Sequence, residues 1–314
     1  MPPAEGSCMP DGESNHGVLF RDAEDFERKR QRIAAGGSDH LQIISDFDFT
    51  MTKFWVNGKR GASCHAVIDE SDLLSENFHK RTSELRSHYY PLEVASDLAP
   101  EVQVKMMVEW VAKAHEAMVA AGITKDILSA AVAKANLRFR PGHGDLFRWV
   151  NKHGVPLLLF SAGIADVLEE AFRQHSEEPL PSVCRVISNR MAFDEEGNMT
   201  GFVGECFHVF NKHASSPAVK PYFQTEEMRC RGNVLLLGDS LGDLNMVNGL
   251  SAEEILTVGF LNDKVGLDIV RAFDQILHCT GPLHFVVVVV VGVVAAVGVA
   301  PAGATLPLVS RDSL

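Results

Sequence analysis

Four runs of the chain, residues 41–44, 155–160, 233–237 and 255–261, are almost wholly apolar and too short for helices. Continuous rather than alternating apolarity over so few residues predicts strands covered on both faces, as in a parallel sheet. Residues 183–187 read as a further strand, and 191–204 as a hairpin turning at Glu196-Gly197-Asn198. Helical spacing fills several gaps: residues 22–34 with Gly36 and Gly37 as the stop, a helix from Ser161-Ala162-Gly163 through Glu170, and one near 243–248. Buried strands alternating with helices predict an α/β fold built on a parallel sheet.

The alternation is interrupted once. Residues 53–61 carry Asn57-Gly58, which suits a tight hairpin turn. Residues 73–87, 101–121 and 125–135 then show apolar positions three and four apart, punctuated by Pro91 and Pro100. This block, 53–136, reads as a helical cap domain inserted into a core of residues 22–52 and 137–282. Residues 1–21 are polar, rich in Gly and Pro, and read as a disordered tail. Residues 285–300 are nearly all Val, Ala and Gly. That run falls short of the about 20 residues of a membrane span, so 283–314 reads as a low-complexity tail, with a membrane anchor the less favoured alternative.

A net charge of -12 leaves no basic surplus for a phosphate backbone and excludes a general nucleic-acid binder. A small phosphorylated substrate needs only a local cationic pocket. Six cysteines without a CxxC pair indicate reduced thiols rather than a disulfide frame or zinc site, and no secretory signal is visible, so a cytoplasmic location is expected.

Chemistry concentrates where the strands end. The first runs into Asp46 and Asp48, with Thr50 and Thr52 just beyond. Open α/β sheets bind ligands beyond the carboxyl ends of their strands. Two carboxylates so close require a cation or a shared proton. The other strand ends are Ser161-Ala162-Gly163 and Gly238-Asp239-Ser240-Leu241-Gly242-Asp243, with Phe210-Asn211-Lys212 between them. Each has an ordinary reading alone, as a helix cap, a turn or a solvated lysine. Their convergence on one sheet edge argues for a site.

In order and spacing these segments resemble the four motifs of the haloacid dehalogenase superfamily of phosphohydrolases. Further stretches (SDFDFTMTKF, CHAVID, YYPLEV, MVEW, FSAGIADVLEE, HVFNKH, LLGDSLGDLNM) resemble cytosolic 5'-nucleotidase type III, the pyrimidine 5'-nucleotidase family. The resemblance implies a Rossmann-like core with a helical cap, Mg²⁺ as cofactor, and nucleoside monophosphates and water as reactants. UMP and CMP are the expected substrates; 7-methylguanosine monophosphate, or nucleotide binding with weakened catalysis, is the alternative. Asp46 is then the nucleophile, and Asp48 the acid that protonates the leaving oxygen and afterwards activates water. The implied metal ligands are the Asp46 side chain, the Asp48 main-chain carbonyl and Asp239, with Asp243 in support. Ser161 and the Ala162 N–H, at a helix start, suit a phosphate oxygen, and Lys212 complements the transferring charge. Glu93 matches the family's base-recognising glutamate, and His65 a ring lying against the base. Val111 and Ala114 depart from the pattern, replacing an aromatic that stacks on the base and a serine that contacts substrate; Trp110 is the candidate substitute.

Overall fold

The computed structural model describes residues 18–93, 95, 98–262 and 271–278. The chain opens with β1 (Val18–Phe20), α1 (Ala23–Gly36) and β2 (Leu41–Ser45), followed by the short strands β3 (Trp55–Val56) and β4 (Lys59–Arg60). Helices α2 (Cys64–Asp69), α3 (Glu76–Glu93), α4 (Pro100–Ala120), α5 (Lys125–Lys134) and α6 (His143–His153) come next. Then follow β5 (Leu157–Ile164), α7 (Ala165–His175), β6 (Cys184–Phe193), β7 (Met199–Val203), α8 (Lys220–Phe223) and α9 (Glu226–Arg229). The last described strands are β8 (Asn233–Gly238), β9 (Glu254–Leu261) and β10 (Gln275–His278).

Among the described residues, eight strands form one sheet in the order β1-β10-β9-β8-β2-β5-β6-β7. From β10 to β6 every pairing is parallel, and only the two outermost are antiparallel. Strand pleating sends alternate side chains to opposite faces. Leu41, Ile43, Leu157, Leu159, Leu235 and Leu237 enter one apolar layer, shared with Phe26 and Ile33 of α1 and with α6 and α7. Ile44, Leu158, Phe160, Val234 and Leu236 enter the other, closed by Phe207, Val219 and Met246. This is why these strands read as continuous apolar runs: both faces are covered.

Local chemistry sets the ends of several elements. The Asp22 carboxylate accepts the Glu24 and Asp25 N–H groups, both at 3.0 Å, and caps α1. Asn57 and Gly58, at φ 52° and 72°, make the left-handed pair that a two-residue hairpin requires.

Long-range partners alter four sequence expectations. Val18–Phe20, expected in a disordered tail, pairs antiparallel with Gln275–Leu277, and Leu19 packs on Leu261, Phe273 and Ile276. Pro91 does not stop its helix, which runs on to Glu93. So near the end a proline removes little, and the Gln103 amide donates to the carbonyls of Leu92, Glu93 and Ala95 at 3.3, 3.4 and 2.7 Å. Residues 184–193 are one strand, its first half paired with β5 and its second with β7. Ala162 lies within β5 rather than at a helix start, since α7 begins only at Ala165. The Val-rich segment 285–300 lies outside the described residues. No helix among the described residues is long and apolar enough to cross a membrane.

Candidate active site

Strand β2 sits between β5 and β8, and its chain leaves the sheet at Asp46, whose N–H donates to the Leu237 carbonyl at 3.0 Å. The next turn is tight: the Phe47 carbonyl accepts the N–H groups of Thr50, Met51 and Thr52. Phe49 takes a left-handed φ of 62°, a conformation that costs a non-glycine residue about 1–2 kcal/mol, and its N–H is held by Thr52 Oγ1 at 2.8 Å.

Lys212 is buried directly opposite. Its Nζ donates to Asp46 Oδ1 at 2.5 Å and to Asp243 Oδ1 at 2.8 Å. Burial alone pushes an ammonium toward neutrality, but Asp243 and Asp46 outweigh it and hold Lys212 charged. Both Asp243 oxygens already accept hydrogen bonds, the second from the N–H groups of Asp239 and Ser240 and from the Ser240 hydroxyl. Asp243 therefore orders the loop after β8. Gly238 makes room for it: a Cβ there would stand 2.4 Å from Asp243 Cβ.

Carboxylate oxygens of Asp46, Asp239 and Asp243 lie within 4.8 Å of one another. Burial raises Asp46, Lys212 opposes the rise, and Asp243 and Asp48 add to it. Burial also lifts Asp239 well above the ordinary carboxylate range, reinforced by Asp243 and Asp46. Asp48 is pushed up to about 6 by burial, against the Cys64 N–H that donates to its Oδ1 at 2.9 Å. Three carboxylates facing one ammonium leave a surplus of buried negative charge, and the donors are all oxygen. That set fits a hard divalent cation, with Asp46 and Asp239 the side chains that would hold it.

The end of β5 supplies the third wall. Ser161 Oγ accepts the Gly163 N–H at 2.9 Å, which leaves its own hydroxyl proton to donate. Asn189, buried on β6, fixes the segment by donating to the Ala162 and Gly163 carbonyls at 2.9 and 3.1 Å. The same amide exchanges hydrogen bonds with the Phe207 backbone, tying β5 to the loop that carries Lys212. This bridge keeps residues 162–164 extended, and it was invisible in sequence because Asn189 lies in the middle of a strand.

These groups open into a cavity of ≈ 430 Å³ that runs from the sheet edge up to α3 and α4. Asp46, Asp48, Ser161, Ala162, Lys212 and Asp239 line its floor, and His65 and Glu93 line it from α2 and α3. These eight residues, each singled out in the sequence, thus meet in one space. Burial pushes His65 down to about 4, so its ring is neutral, and raises Glu93 above its ordinary value. Val111 and Ala114 line the same cavity, as does Trp110, whose ring stacks on Tyr89 at 5.9 Å and 12°. Asp69, Arg60 and His208 also line it and were missed in the sequence.

A sequence profile for pyrimidine 5'-nucleotidase (UMPH-1) matches residues 49–293. The chain belongs to the pyrimidine 5'-nucleotidase family. Family members are phosphoric monoester hydrolases that release phosphate from a nucleoside 5'-monophosphate, and the chain is a 5'-nucleotidase of this kind with a haloacid dehalogenase fold. It is 41% identical over 280 residues to 7-methylguanosine phosphate-specific 5'-nucleotidase A of Xenopus laevis, covering 86% of this chain and 95% of the relative. To the 7-methylguanosine phosphate-specific 5'-nucleotidase of Homo sapiens it is 40% identical over 249 residues, 79% of this chain and 82% of that one. Its fold is similar to the crystal structure of cytosolic 5'-nucleotidase IIIB bound to cytidine, with a TM-score of 0.79 at 26% identity over 89% of this chain and 94% of the other. The family profile begins at Phe49, so the two aspartates ahead of it rest on the geometry of the site.

Proposed function

We propose that the chain is a Mg²⁺-dependent 5'-nucleotidase that works through an aspartyl-phosphate on Asp46, with α2–α5 and the β3–β4 hairpin as the cap that reads the base. The observation that carries this reading is the continuity of one cavity from the Asp46–Lys212 pair to Glu93. The Asp46 carboxylate attacks phosphorus in line as the bond to the 5'-oxygen breaks. Asp48, its carboxyl raised by burial, delivers a proton to that oxygen and then, as a carboxylate, takes one from the water that hydrolyses the acyl phosphate. Ser161 and the Ala162 N–H orient phosphate oxygens, and Lys212 balances the charge that develops on them. When bound by Asp46, the Asp48 main-chain carbonyl and Asp239, Mg²⁺ supplies the remaining positive charge. A cytoplasmic location belongs to the same proposal.

Glu93 accepts hydrogen bonds from the base, and His65 lies against it. The family description supports UMP and CMP as substrates. A second reading, 7-methylguanosine monophosphate, is supported by the relatives named for that substrate. A cationic purine also suits a carboxylate beside aromatic rings. The test is phosphate release from CMP, UMP, GMP and 7-methylguanosine monophosphate, with Mg²⁺ and with a chelator. Release from CMP and UMP that chelation abolishes is the expected result. Preference for 7-methylguanosine monophosphate keeps the mechanism and changes the base, and release that survives chelation refutes the metal.

A further inference from the structure

We infer that Asn262 is a positioning residue that locks Asp239 to the loop bearing Asp46 and Asp48. The inference rests on the metal-dependent mechanism proposed above. Asn262 is the first residue beyond β9, at the same carboxyl edge of the sheet as the other site loops, and is buried. Its Nδ2 donates to Asp239 Oδ2 and to the Phe49 carbonyl, each at 3.0 Å. One amide thus grips a carboxylate after β8 and the backbone after β2. Its Oδ1 accepts from Arg140 Nη2 at 2.7 Å, which fixes which end of the amide faces the carboxylate.

Arg140 makes the grip rigid. Its guanidinium is fully buried, sits 4.4 Å from the Phe260 ring centroid, and donates to the Thr50 carbonyl at 2.8 Å and the Phe49 carbonyl at 2.6 Å. The left-handed Phe49 therefore has its carbonyl held by two side chains while Thr52 holds its N–H. Turning the Phe49 peptide would break these bonds together and would release Asp239 from the same amide. With Oδ2 holding Asn262, the other Asp239 oxygen accepts no hydrogen bond among the described residues. Groups that orient a metal ligand in this way typically change metal affinity 10–100-fold when removed.

The test compares the full chain with Asn262→Ala and with Asn262→Leu, which keeps side-chain volume should the smaller residue fail to fold. Mg²⁺ alone, without nucleotide, is titrated while the melting temperature is followed, and steady-state hydrolysis is measured across the same Mg²⁺ range. The expected result is a half-saturating Mg²⁺ concentration raised about 10–100-fold, with activity partly recovered at high Mg²⁺. KM for the nucleotide should change by less than about three-fold. A folded variant with a lower melting temperature but an unchanged Mg²⁺ midpoint would overturn the inference, because a purely structural role predicts that pattern. A wild-type chain that shows no response to Mg²⁺ would overturn this inference and the proposed metal together.

Discussion

At the floor of the cavity Lys212, Asp46 and Asp243 are paired before any substrate arrives: Lys212 lies between the two carboxylates, and the Ser240 hydroxyl and two backbone N–H groups hold Asp243. At the roof, among the described residues, the Glu93 carboxylate has no hydrogen-bond donor, and rings and aliphatic groups such as His65, Tyr90, Met107, Trp110 and Val111 line the same cavity. The packing differs as well. Met118 of α4, Leu128 and Val132 of α5 and Ile123 between them join the main core, whereas Leu85, Tyr89 and Met107 form a small cluster of their own near Trp110. The chemical end is therefore preorganised, with its charges fixed by the fold. On the proposed reading of Glu93, the other end keeps a polar group for the substrate to satisfy, which is how a site rejects analogues that lack the matching N–H.

The contrast can be broken from its charged side first. Asp46→Asn keeps the shape and removes the proposed nucleophile; turnover should fall on the order of 10⁴-fold or more, read as phosphate release, with no loss of melting temperature. A folded variant with near-normal hydrolysis would remove Asp46 from that role. Lys212→Met leaves Asp46 and Asp243 buried without their cation, and breaking such a pair costs about 3–5 kcal/mol. Urea unfolding of the full chain measures it, and an unchanged midpoint would show that the two carboxylates carry no charge that needs compensation.

Changes at the roof should be smaller and selective. Glu93→Ala should lower kcat/KM for the preferred nucleotide about 10–100-fold, the worth of a hydrogen bond to a charged group, and leave hydrolysis of a simple aryl phosphate nearly unchanged. Equal losses on both substrates would take Glu93 out of base recognition. Val111→Tyr restores an aromatic at a cavity-lining position and should lower KM about five-fold or more by stacking; no change would mean that Trp110 already fills that role.

The smallest effect concerns protons. His115 stacks on Phe202, its Nε2 has no hydrogen-bond partner among the described residues, and burial, assisted by His65, pushes its pKa down from 6.5 to about 3. Between those values the unfolded ring binds a proton that the folded ring refuses. Its contribution to stability is therefore complete above pH 6.5 and is lost as pH falls toward 3. His115→Phe should keep the stack and make the decline of melting temperature below pH 6.5 shallower. An identical decline would place the acid sensitivity elsewhere.

The sheet and its aspartates were legible because they obey local rules: an apolar run of strand length, then a carboxylate where the run ends. The Asn57-Gly58 turn and the Asp22 cap were legible for the same reason. What was not legible depends on residues far apart. Ala162 stays in β5 because Asn189 holds the carbonyls beside it, and β1 exists because β10 pairs with it. Arg140 and Asn262 carry no motif, yet the rule that located Asp46 and Asp239, a polar residue just past a buried strand, also points to Asn262 once the end of β9 is inspected.

The placement of β2 between β5 and β8 also fixes a timetable for the growing chain. Asp46 is synthesised 166 residues ahead of the lysine that neutralises it. At translation rates of 5–20 residues per second that interval lasts roughly ten to thirty seconds. Throughout it Leu41–Ser45 lacks its β8 neighbour, and until Leu157 emerges it lacks both. Among the parallel pairs, the strand that leads to Asp46 is thus the one whose hydrogen bonds wait longest, so the nascent protein needs its apolar edges shielded until Asn233–Gly238 leaves the ribosome.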